Sequence, residues 1–207
     1  MATNIDITYI NKASNDNNPT VLVFMEPTES NLAANSTAWQ VIDNIGHNSW
    51  HKFTYTLDTS VIATWDSGSS GTFPVPTSNG KSYALKQEPG GFSLVEHGAI
   101  SADNEFDVLN RVSTEGGISV TAFKDGKPIA TKQEVAKGQK AEFVFHPKLY
   151  FGVSSEYEVG EALDSAVMSE DFTPISLEGL SKLTVTLTGS AEMGYRFTTS
   201  NLEPETF

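Results

Sequence analysis

Lys182-Leu-Thr-Val-Thr-Leu187 alternates polar and apolar side chains without a break. Leu183, Val185 and Leu187 therefore share one side of an extended chain, and Lys182, Thr184 and Thr186 the other. Period two is the spacing of a half-buried β-strand, because successive side chains of a pleated backbone point to opposite faces. The same beat runs through Ile5, Ile7 and Tyr9 against Asp6 and Thr8, and through Phe53, Tyr55 and Leu57 against Lys52, Thr54 and Thr56. It returns in Ile118, Val120 and Ala122 against Ser119 and Thr121, in Phe143 and Phe145 around Val144 with Glu142 opposite, and in Tyr195, Phe197 and Thr199. Thr20 to Met25 is apolar on both faces, as a central strand buried from both sides would be.

Turn chemistry separates these runs: Asp66-Ser-Gly-Ser-Ser-Gly71, Asn79-Gly80, Pro89-Gly-Gly91, Gly116-Gly117 and Asp125-Gly126. Asp125-Gly126, between β-prone flanks, predicts a type I′ hairpin, with Pro128 placed where an edge strand tolerates it. Two windows carry helical spacing. Glu29 to Ala38 is rich in Asn and Thr and reads as a loop or a single turn, and Glu161 to Met168 fits one short helix. No fixed-period repeat and no linker divides the 207 residues, so the expectation is an all-β chain: an antiparallel β-sandwich, one domain over 1–207, with at most that one helix near 161–168.

Composition removes several functions. There is no cysteine, which excludes disulfides, thiolate metal sites and a Cys nucleophile. A formal net charge of −13 argues against a nucleic-acid partner, whose binding is driven by Lys and Arg. No apolar run approaches the roughly 18 residues of a membrane helix, and the N-terminus lacks the pattern of a signal peptide, so the expected location is cytoplasmic.

The charge is unevenly spread. Lys124, Lys127, Lys132, Lys137, Lys140 and Lys148 stand against Asp125, Glu134 and Glu142, whereas 149–181 holds seven carboxylates, among them Glu156, Glu158, Glu161 and Asp164, and no Lys or Arg. Complementary surfaces of this kind suit self-association, head to tail between copies; the plainer alternative is a solvated face.

Motifs for chemistry are sparse. His47 and His51 have the i, i+4 spacing of a zinc helix, but Gly, Asn and Ser neighbours indicate a turn, and no Glu follows His47. No nucleophile elbow and no glycine-rich phosphate loop is present. Of the three tryptophans, Trp39 and Trp65 lie in strand-like runs that point to the core, while Trp50, between Ser49 and His51, is the one expected at the surface.

Ile5 to Asn11, Val21-Leu-Val-Phe24, Ala38-Trp-Gln-Val-Ile-Asp-Asn-Ile-Gly46 and Phe53-Thr-Tyr55 together resemble the opening of a family of small uncharacterised bacterial β-rich proteins. Gly179 to Phe197 echoes its tail. Some members are labelled aromatic-ring-opening dioxygenases, which would imply a two-histidine, one-carboxylate iron site. This sequence offers no ligand set for one, so the resemblance transfers no activity and no residues. The architecture is also similar in kind to bacterial inclusion-body proteins and to small membrane-active β-sandwich proteins.

The expected function is therefore non-enzymatic: self-assembly or protein–protein interaction, without cofactor, through the lysine-rich and acidic segments. One alternative is a glycan- or lipid-headgroup-binding module using Trp50, His47 and His51. Another is a hydrolase or metalloenzyme that gathers His47, His51 or His146 with a carboxylate.

Overall fold

A computed structural model describes residues 4–14, 19–25, 35–102, 104–154, 157–163 and 172–204, and eighteen strands account for most of them. The first five are β1 (Ile5–Asn11), β2 (Val21–Phe24), β3 (Asn35–Ser36), β4 (Ala38–Ile42) and β5 (Trp50–Tyr55). There follow β6 (Thr59–Trp65), β7 (Ser70–Gly71), β8 (Val75–Thr77), β9 (Lys81–Glu88) and β10 (Gly91–Ala99). Next come β11 (Glu105–Asn110), β12 (Ile118–Lys124), β13 (Lys127–Val135) and β14 (Lys140–Val144). The last are β15 (Lys148–Val153), β16 (Thr173–Ser176), β17 (Leu180–Ser190) and β18 (Gly194–Pro204). The only helical turn among the described residues is a 3-10 turn at Asp66–Gly68. The chain is an all-β protein of sandwich type. Glu29 to Ala38 is strand where it is described, at Asn35–Ser36 and again from Ala38. In the second helical window Glu161 to Leu163 is not helical, and 164–168 lie outside the described residues.

Where the sequence suggests one sandwich over 1–207, the chain divides into two compact units. Unit 1 comprises Met1–Met25, Ala38–Leu57 and Pro147–Phe207, and unit 2 comprises Glu26–Thr37 and Asp58–His146. Unit 1 has a sheet ordered β18-β17-β1-β5 and a sheet ordered β16-β15-β2-β4. Their inner faces meet through rings: Trp39 of β4 lies edge-on to Phe53 and Tyr55 of β5, and Phe151 of β15 lies beside Phe197 of β18. Ile5, Ile7, Tyr9, Leu183 and Val185, on the side of β1 and β17 that period two marks as apolar, complete that core together with Val23 of the doubly apolar β2. Unit 2 has a sheet ordered β10-β9-β11-β14 and one ordered β3-β13-β12-β6-β7, with β8 also on β6. Its core holds Tyr83, Leu85, Phe106, Val108, Val120 and Phe143.

The two units share one topology. β1 runs parallel to β17 and antiparallel to β5, just as β11 runs parallel to β9 and antiparallel to β14. In the companion sheets β2 is antiparallel to β4 and β15, as β12 is to β13 and β6. The likeness extends to atoms. Asn11 and Asn110 are both fully buried; each Oδ1 accepts the N–H of the residue two further on, Ala13 or Val112, at 2.9 Å. Each Nδ2 donates to a distant carbonyl, that of Ile45 at 2.6 Å or Val135 at 2.8 Å. Each asparagine carbonyl accepts from a residue of positive φ, Asn48 or Gly138, at 2.7 Å, and the next amides, of Lys12 and Arg111, donate to Leu187 and Leu85. The words Ile10-Asn-Lys-Ala-Ser14 and Leu109-Asn-Arg-Val-Ser113 are the sequence trace of this correspondence.

Apart from the two-residue strands β3 and β7, the chain is thus built of four quarters: β1, β2, β4 and β5; then β6, β8, β9 and β10; then β11 to β14; then β15 to β18. The first matches the third and the second matches the fourth. Unit 2 joins the second and third, which are consecutive, and unit 1 joins the first and fourth.

Candidate functional site

The outward face of the β18-β17-β1-β5 sheet in unit 1 carries a groove of about 460 Å³. Asp6 and Thr8 enter it from β1, Lys52 and Thr54 from β5, Lys182 and Thr184 from β17, and Glu203 from β18. They converge because the register sets Asp6 beside Lys182 and Thr54, and Thr8 beside Thr184 and Lys52, so one polar row crosses the sheet at each level. Lys182 Nζ is 2.9 Å from Glu203 Oε2, and Thr54 Oγ1 donates to Asp6 Oδ1 at 3.2 Å. The Lys182 ammonium is pushed up, first by its hydrogen bond to Glu203, then by the charges of Glu203 and Asp6. Two carboxylates, two ammonium groups and three hydroxyls leave the groove without net charge and supply donors and acceptors together.

Trp50 continues the same outward row, opposite Ile10 and two residues before Lys52. It is 61% exposed, and Lys52 Nζ sits 5.0 Å from its ring centroid, a cation–π contact that ties the indole to a lysine of the groove although Trp50 does not itself line it. Trp39, by contrast, is fully buried, and Trp65 is half-buried against Phe92.

The corresponding face of unit 2 is filled by its own charges. The shared topology matches Asp6 with Glu105, Thr8 with Asp107, Thr184 with Ser82, Lys52 with Glu142 and Trp50 with Lys140. Asp107 is only 1% exposed; it accepts a short hydrogen bond from Ser82 and an ion-paired one of 2.5 Å from Lys140. That bond holds the Lys140 ammonium above its usual range. Burial, with Glu142 and Asp107 nearby, raises the Glu105 carboxyl. One face satisfies itself and its counterpart stays open.

The residues named from sequence are dispersed. Lys124 and Lys132 are 2% and 1% exposed and point into unit 2, so neither offers a cation to a surface partner. Burial depresses both ammonium groups to about 8, opposed by Asp58 for Lys124 and by Glu142 and Glu105 for Lys132, whose Nζ also lies 5.5 Å from the Phe143 centroid. Lys127 is half-buried and lowered by burial, Lys137 is exposed, and Lys140 is committed to Asp107. Glu158 and Glu161 are exposed, with the Glu158 amide donating to Glu161 Oε2; Glu156 and Asp164 lie outside the described residues. His47 donates Nδ1 to the Ala13 carbonyl at 2.8 Å in an exposed turn, whereas His51 turns inward beside Phe53, and His146 belongs to unit 2. Among the described residues no three His, Asp or Glu side chains stand together to hold a metal. Asp6, Thr8, Lys182 and Glu203 escaped the sequence reading because β1 and β17 lie at opposite ends of the chain. The only trace was threonine at outward positions of 52–56 and 182–188.

No family model, no curated protein and no solved structure matches this chain.

Proposed function

We propose that the protein is a non-enzymatic binding module that holds a neutral, hydroxyl-rich ligand, an oligosaccharide, in the groove of unit 1. The groove's balanced donors and acceptors, with the exposed indole of Trp50 beside Lys52 on the same sheet face, carry this reading. A sugar ring presents an apolar face for stacking and hydroxyls that both donate and accept, which this surface complements. A phosphate-bearing headgroup is matched less well, since Asp6 and Glu203 would oppose it. Catalysis has little support: Glu203 is 58% exposed and ion-paired, whereas a general acid at neutral pH is buried and unpaired.

Binding to immobilised neutral oligosaccharides, followed by quenching of tryptophan fluorescence with each hit, tests the reading. Trp50→Ala is expected to weaken binding at least ~10-fold, the equivalent of about 1.4 kcal/mol. Lys140→Ala, at the matching position of unit 2, leaves binding unchanged. Absence of any oligosaccharide binding by the wild-type chain rejects the reading, and sedimentation with phosphatidylcholine or phosphatidylserine vesicles instead would move it to lipid headgroups.

A further inference from the structure

Unit 2 closes between quarters that follow one another, joined across 100–104, whereas unit 1 closes between quarters separated by the whole of Asp58–His146. The joint in unit 1 consists of six parallel register pairs between β1 and β17, from Asp6–Lys182 to Asn11–Leu187, and four antiparallel pairs between β2 and β15. Tyr9, Val23, Phe151 and Val185 are all fully buried there. Nothing in this joint requires both sides to come from one chain.

The pairing inside the chain is nested and not sequential. The first quarter pairs with the fourth, and the second with the third, although each of the sequential pairs 1–2 and 3–4 contains one quarter of each type. We propose that unit 1 is also a site of head-to-tail association with a second copy of this chain. Strands β1, β2, β4 and β5 of one copy take β15 to β18 of the next, using the same strand register and making no new contact. Such exchange of identical elements is a low-cost route to dimers. Within one chain the closing segment acts at an effective concentration in the millimolar range, so a second copy competes when chains fold at comparable concentration. This inference is independent of the ligand reading, because it concerns the β1–β17 and β2–β15 joint and not the occupant of the groove.

The cysteine-free chain allows a direct test. Ile10 and Thr186 are register partners across the joint, half-buried on the outward side and outside the groove lining. A copy carrying Ile10→Cys and a longer, tagged copy carrying Thr186→Cys are unfolded, mixed, refolded and oxidised. A mixed disulfide dimer in excess of that given by a cysteine placed in unit 2 reports β1 of one chain lying beside β17 of another. It is expected after refolding near ~1 mM and at least ~10-fold less abundant after refolding near ~1 µM, with no loss in ~1 M salt. The double variant Ile10→Cys/Thr186→Cys at low concentration is expected to bridge within one chain. The inference is overturned by the absence of a mixed dimer at any concentration, or by an equal yield when Thr131→Cys in unit 2 replaces Thr186→Cys. Failure of the double variant to bridge also overturns it, since the register is its basis.

Discussion

Tyr9 shows how single atoms deviate from a pattern that is otherwise obeyed. Period two places it in the core of unit 1, where it is fully buried, yet its hydroxyl finds no hydrogen-bond partner among the described residues. Burial, with Tyr195 nearby, raises its phenol far above the ordinary value. An unpaired buried hydroxyl carries a desolvation cost that the phenyl ring alone does not. Tyr9→Phe is therefore expected to leave the fold intact and raise unfolding stability by about 1 kcal/mol in urea titration; a loss of that size would mean the hydroxyl is satisfied. Trp50 is the opposite case, an aromatic whose exposure the sequence anticipated from its polar neighbours. Lys124 and Lys132 were less legible. A lysine in an alternating strand reads as surface, but at these positions the ammonium-bearing chain points to the inner side.

Among the elements, hairpins followed local rules most closely. Asp125 and Gly126 both have positive φ, 52° and 70°, as the type I′ reading requires. The β17–β18 hairpin is the longest ladder and tightens at Gly189, which has φ 97° and faces Tyr195. A Cβ there would run into the Gly194 carbonyl oxygen across the ladder, in a conformation L side chains rarely adopt. Gly189→Ala is expected to cost about 2 kcal/mol or more. Because β18 supplies Glu203 to the groove, the same substitution should also weaken oligosaccharide binding, read by melting temperature and fluorescence titration together. The joints between distant elements were not legible. Alternation shows that 5–11 and 182–187 are strands, but two strands of the same pattern do not reveal that they are parallel neighbours.

At the scale of the molecule, buried lysines and tyrosines determine how stability responds to alkali. Lys124 and Lys132 lose their protons near 8 when folded and near 10.5 when unfolded, so between those values the unfolded chain binds more protons and stability rises with pH. Above about 10 the sign reverses. Tyr55 is pushed up to about 12 by burial and Tyr9 is also raised, so the folded chain then holds more protons. Lys81, Lys140 and Lys182 are raised as well and act in the same direction. The expected profile climbs from pH 8, peaks near 10 and falls beyond, with a rise on the order of 1–3 kcal/mol per buried lysine. Lys132→Met is expected to remove about half of the climb and to raise stability at pH 7 by about 1 kcal/mol. A flat denaturation profile from pH 7 to 10 would show both amines to be solvated.

By itself the sequence determined the class of this protein: alternation of apolar and polar residues commits its segments to half-buried strands, and Gly, Asn and Asp commit the joints to turns. Both are local properties, set by neighbours one to three residues away. The tertiary structure alone decided that the strands form two units of one topology, that the first quarter of the chain is completed by the last, and that one copy of the shared face is filled while the other is open. The repeat escaped notice because matched residues keep no constant spacing, Asn11 standing 99 positions before Asn110 and Leu85 standing 102 before Leu187. The groove escaped because its row from Thr54 through Asp6 to Lys182 exists only once long-range pairing sets the register. Register is a property of the assembled sheet, not of any strand in it.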